Sequence, residues 1–103
     1  MPGIVMRVHR VRAEVVVAAC DEELLGQALP VGTGGRTVTV SPHFYGERRV
    51  TEEEFVLAAR RATIVNLLGS RVTAVATREG LLGPGGTGLL GGVPHAEIIS
   101  VPE

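Results

Sequence analysis

The chain has 103 residues, 45% of them hydrophobic, and a formal net charge of −1, which fits one domain with enough apolar content for a core. All ten basic residues are arginine and Cys20 is the only cysteine. That excludes Schiff-base and pyridoxal-phosphate chemistry, a phosphate-loop lysine, an intrachain disulfide and a multi-thiolate metal site.

No apolar run nears the ~20 residues of a membrane span. Charges interrupt the opening MPGIVMRVHRVR before the apolar core of a leader develops. The expectation is a cytoplasmic protein with no membrane partner, and the near-neutral charge argues against strong non-specific nucleic-acid binding.

Ile4 to Val11 alternates as a half-buried strand, and Arg12-Ala13 turns the chain without a Gly or Asn to mark it. Glu14 to Cys20 is apolar on both faces, which predicts a strand inside the sheet. Asp21 reads as the cap of a short helix ended by Gly26 and Pro30. Arg36 to Ser41 reads as a third strand, Ser41 to Gly46 as a loop holding Phe44 and Tyr45, and Glu47 to Val50 as a lead into a helix.

Thr51 to Leu68 carries the strongest helical signal. Thr51 and Glu54 form a capping box, and Glu52 to Glu54 complement the helix dipole. Phe55, Ala58, Ala59, Ala62, Val65 and Leu68 make an apolar stripe, and Gly69 is placed to end it. Ser70 then caps a second helix over Arg71 to Glu79. After the glycine-rich loop Gly83 to Gly88, Leu89-Leu90 is a short strand, Gly91 to His95 a tight turn, and Ala96 to Val101 the last strand. These elements predict one α+β domain over residues 1–103, with a small mixed or antiparallel sheet of about four to five strands. One long helix over 51–68 and a second over 71–79 cover it.

Gly83 to Gly88 matches G-x-G-x-x-G, but the strand before and helix after that a dinucleotide site requires are missing. Cys20 reads as a core thiol. His43 and His95 each follow a proline. If the third and last strands are antiparallel neighbours, their turns form one cleft with Tyr45. Phe44 with Arg48, Arg49, Arg60 and Arg61 has the composition of a surface that stacks on single-stranded RNA. No catalytic constellation, metal-ligand spacing or cofactor motif stands out, and the sequence leaves the oligomeric state open, with Ala96 to Val101 as a candidate pairing edge.

Four segments, His9 to Gly26, Ser41 to Gly46, Ala62 to Gly69 and Gly91 to Ala96, resemble the archaeal family known as DUF424 over nearly the whole chain. The resemblance implies a small α+β protein and no reaction. An association of such archaeal families with translation genes tilts the expectation toward a non-enzymatic binding module for RNA or a ribonucleoprotein. A small enzyme or metal-dependent protein using His43 and His95, and a protein-interaction or dimer-forming protein, are the alternatives.

Overall fold

The first two apolar runs form a hairpin, as their patterns predict. In the computed structural model, which describes residues 2–100, β1 (Ile4–Val11) and β2 (Glu14–Asp21) pair antiparallel from Ile4–Asp21 to Val11–Glu14. Arg12 takes the left-handed conformation at φ +58° in the turn. Asn or Gly is the usual residue there, which is why the turn is poorly marked in the sequence.

A ribbon of β3 (Ala28–Pro30) and β4 (Thr37–Thr39) follows. Next come the one-turn helix α1 (Pro42–Tyr45), β5 (Arg49–Val50) and α2 (Glu52–Arg61). The chain continues through β6 (Ile64–Leu68), α3 (Ser70–Arg78), β7 (Gly88–Leu90) and β8 (Val93–Ile99). The main sheet has six strands in the order β5-β1-β2-β6-β8-β7. It is mixed, because β2 and β6 run parallel while the other pairs are antiparallel.

As its two apolar faces predict, β2 lies inside this sheet. Val17 and Ala19 pack with Phe55, Val65, Leu67 and Val72 on the side covered by α2 and α3. Ala18 and Cys20 pack with Val5, Leu29, Val40, Tyr45 and Leu68 on the side covered by α1 and the β3–β4 ribbon. Two buried faces hold more strands than the four or five expected.

The main departure is the helix expected over 51–68. Its start is as predicted: Thr51 Oγ1 accepts from Glu54 N–H at 3.0 Å, and Glu54 Oε1 accepts from Thr51 N–H at 3.0 Å. The Thr51 N–H holds the Glu54 carboxyl below its ordinary pKa. The helix nevertheless ends at Arg61, and Ala62 is extended at φ −83°, ψ 154°. Thr63, Ile64 and Val65 are β-branched, lose rotamer freedom in a helix and pack well on a pleat. The Thr63 hydroxyl also accepts from Val15 N–H and donates to Val15 C=O, which ties the start of β6 to β2. The apparent stripe is therefore half helix and half strand: Val65 faces α2 and α3, and Leu68 faces away from them. Thr51→Ala is expected to cost about 1 kcal/mol in urea unfolding, and Thr51→Ser to restore most of it. Equal damage from both would remove the hydroxyl as the reason for the residue.

The other differences are also tertiary in origin. The short helix after Asp21 is a single 3-10 turn, Glu22–Leu24, with no side-chain cap. The third strand shrinks to β4 and pairs with the unforeseen β3, outside the main sheet. The Ser41 loop contains α1, capped by Ser41 Oγ, which accepts from His43 and Phe44 N–H at 3.2 Å each. The second helix begins at Ser70 instead of Arg71 and ends at Arg78. Only Gly91 and Gly92 form the expected 91–95 turn, and Pro94 and His95 already belong to β8. The end of the expected last strand, Val101, lies outside the described residues.

Candidate functional site

The C-terminal ends of the parallel strands β2 and β6 come first, because open α/β sheets commonly bind ligands there. They end at Asp21 and next to Gly69, and α3 starts immediately beyond. The Asp21 carboxylate occupies that helix terminus. Oδ2 accepts from Arg71 N–H and Oδ1 from Val72 N–H, both at 2.9 Å, and Asp21 is 5% exposed. Arg71 closes the arrangement through Glu23 at 2.8 Å, and that bond holds the Glu23 carboxyl below its ordinary pKa. An external anion would have to displace the protein's own carboxylate. Asp21 thus caps a helix fifty residues further on, where the sequence pointed to a local cap.

Two groups that could act as nucleophile or base are held in their neutral forms. Burial, followed by the charges of Asp21 and Glu23, raises the Cys20 thiol to about 12. Burial, followed by Cys20, raises the Tyr45 phenol to about 12. Tyr45 donates its hydroxyl proton to Asn66 Oδ1 at 3.0 Å on β6.

The structure separates the two Pro-His segments. His43 is exposed on α1, whose carbonyls are held by β1: Arg7 donates to His43 C=O at 2.9 Å, and His9 Nε2 donates to Phe44 C=O at 2.6 Å. His95 lies opposite Leu68 on β8, three strands from β1, which is about 14 Å at ordinary strand spacing. The expected pairing of the third and last strands does not occur, since β4 pairs with β3, and β8 with β6 and β7. Tyr45 and His95 do share the α1 side of the sheet, through Asn66 and Leu68. Gly91 packs closely against the ribbon: a Cβ there would lie 2.7 Å from Pro30 C=O.

The arginines named with Phe44 are scattered. Arg48 pairs with Glu54 at 3.1 Å, Arg49 with Glu22 at 2.6 Å, and Arg60 with Glu79 at 3.9 Å. Arg60 and Arg61 lie on α2, on the opposite side of the sheet from Phe44. Among the described residues, Arg61 has no carboxylate partner, and neither do Arg7, Arg10, Arg12 and Arg36.

Three of these five cations, Arg10, Arg12 and Arg61, gather around the free end of the β1–β2 hairpin. Arg10 and Arg61 line one hollow of about 170 Å³ floored by Val8, Val15, Val17 and Ala58. Arg12 is in the hairpin turn, and Arg7 lies on the α1 side with His9. His9 stacks on Phe44 with ring centroids 5.2 Å apart, and Phe44 meets Tyr45 edge-on at 4.9 Å. The sequence does show Arg7, His9, Arg10 and Arg12 close together. It does not show that other arginines lose their charge to acidic neighbours while these do not.

The glycine-rich 83–88 segment connects α3 to β7, so no helix follows it. Among the described residues no three His, Cys, Asp or Glu side chains converge as metal ligands, and no helix is long and apolar enough to cross a membrane.

The fold is similar to that of an uncharacterized conserved protein from the archaeon Methanopyrus kandleri, known from its crystal structure. The two share 29% sequence identity with a TM-score of 0.79, over 97% of this chain and 96% of that one. No curated protein matches the chain. Residues 9–101 match the family described as "Protein of unknown function (DUF424)", and the chain belongs to that family.

Proposed function

We propose that this protein is a non-enzymatic binding module for single-stranded RNA, which it takes at the tip of the β1–β2 hairpin. The observation that carries the reading is charge segregation. Arg48, Arg49, Arg60, Arg71 and Arg78 pair with carboxylates, whereas Arg10, Arg12 and Arg61 surround one end of the molecule and Arg7 lies further along β1 without a carboxylate partner. Glu14 is the only carboxylate in that end of the hairpin. A net charge of −1 therefore coexists with a local basic surface, and it is the local field that steers a polyanion.

The stacked His9–Phe44 pair adds an aromatic platform beside Arg7, on the other side of the sheet from Arg10 and Arg61, and stacking beside a cation is the combination that holds unpaired bases. A cytoplasmic setting is part of the same reading, since the single cysteine, Cys20, allows no intrachain disulfide.

The test is fluorescence anisotropy with random-sequence single-stranded RNA at several salt concentrations. The expected log K falls linearly with log salt, by about 0.7 per phosphate contacted. The combined variant Arg10→Glu, Arg12→Glu and Arg61→Glu is expected to abolish binding without lowering the melting temperature. Arg78→Glu, which breaks an exposed ion pair elsewhere, is expected to leave binding unchanged. Binding that ignores salt, or that survives the triple change, overturns the proposal.

A further inference from the structure

The two edges of the main sheet are defended differently. On one side β5 covers only Ile4 and Val5 of β1. The uncovered part of β1 carries Arg7 and Arg10, with Arg12 in the turn, and charge on an edge opposes strand pairing. On the other side β7 covers β8 only from Val93 to His95, and among the described residues no strand lies beyond Ala96 to Ile99. That stretch carries a single charge, Glu97. The two most exposed large apolar side chains among the described residues, Leu89 at 74% and Ile99 at 63%, belong to β7 and β8.

The main-chain groups on this edge can be identified. Gly91 and Gly92 have φ of +57° and +80°, the signature of a two-residue hairpin turn in which the flanking residues, Leu90 and Val93, bond each other. Val93 therefore points toward β7. Pro94 C=O points the other way, accepting from Gly69 N–H at 2.8 Å, and Ser100 N–H donates to Thr63 C=O at 2.8 Å. Even-numbered residues of β8 thus turn toward β6 and odd-numbered ones away from it. The N–H and C=O groups of Glu97 and Ile99 face the open edge with no backbone partner among the described residues.

We infer that two copies of this chain pair through that edge, β8 against β8, antiparallel about a two-fold axis at Ile98. A two-fold axis normal to the sheet keeps the two helix-covered sides together, so facing residues have the same parity. With Ile98 opposite Ile98 of the partner subunit, Glu97 faces Ile99 of the partner subunit and Ile99 faces Glu97 of the partner subunit. All four outward groups of each copy are then satisfied. No like charges stand opposite each other, whereas the register centred on Glu97 would oppose two carboxylates. This match of the edge to itself selects a second copy as the occupant and closes the assembly at two. Pairing of this edge with the arginine-bearing β1 edge of another copy would not close, and would give a chain of subunits.

Sedimentation of the purified protein from micromolar to millimolar concentration tests the inference. The mass is expected to rise from the chain's 10.8 kDa to twice that value and stop there. Ile99→Pro removes an outward N–H at an edge position that accepts proline. It is expected to be monomeric throughout, with an unchanged circular dichroism spectrum. Ile98→Cys is expected to form a disulfide-linked pair on oxidation, because directly facing, non-hydrogen-bonded residues lie within bridging distance. Ile99→Cys, which faces Glu97 of the partner subunit, is expected not to. A protein that is monomeric at every concentration overturns the inference. So does a series of species beyond the dimer, or a dimer that Ile98→Cys does not cross-link.

Discussion

Gly69→Ala is expected to destabilise the protein by at least about 2 kcal/mol. Gly69 sits at φ +123°, outside the range an L side chain adopts easily, and a Cβ there would lie 2.3 Å from the Asp21 carboxyl carbon. The backbone strain alone is about 1–3 kcal/mol. The overlap then pushes Asp21 off the Arg71 and Val72 amides. That leaves a buried carboxylate and two helix-terminal N–H groups without partners, roughly another 1–3 kcal/mol or more. Natural stabilities are about 5–15 kcal/mol, so a large part is lost. Urea unfolding of Gly69→Ala measures it, and a midpoint equal to wild type would show that the Asp21 cap does not hold α3 to the sheet.

Ala62→Asp is expected to unfold the protein or nearly so. Ala62 is 5% exposed and lies where α2 gives way to β6, within the core on the helix-covered side of the sheet. An aspartate there brings an unpaired charge into an apolar cluster, at a cost of several kcal/mol, about 3–5 by comparison with broken buried pairs. Arg61 is the last residue of α2, yet the chain is extended at Ala62, so no helical turn remains to carry the new side chain toward solvent. Thermal unfolding followed by circular dichroism gives the result. A melting temperature within a few degrees of wild type would mean that position 62 faces water.

What could be read from the sequence was local. The Thr51–Glu54 capping box, the two apolar faces of β2 and the core position of Cys20 all depend on residues within a few positions of one another. The Phe55-to-Leu68 stripe misled because helical spacing continues by coincidence into β6. The choice between helix and strand there was made by Thr63-Ile64-Val65 and by the neighbouring β2. Ala28-Leu29-Pro30 is too short to register as a strand until β4 pairs with it. At the candidate site, the grouping of Phe44 with Arg48, Arg49, Arg60 and Arg61 rests on composition alone. The ion pairs of Arg48, Arg49 and Arg60 are not legible in the sequence, because Glu54, Glu22 and Glu79 reach them only in the folded chain. The same tertiary pairing leaves the hairpin arginines, with Arg36 and Arg61, without carboxylate partners among the described residues.

The central claim, that the hairpin tip is the binding surface, is tested most directly by titrating ¹⁵N-labelled protein with single-stranded RNA and following the amide resonances. The account predicts saturable shifts at residues 7–12, at Phe44 and at Arg61, while Arg48, Arg49, Arg71 and Arg78 stay fixed. Shifts centred on α3 or β5, with the hairpin resonances unmoved, would contradict it.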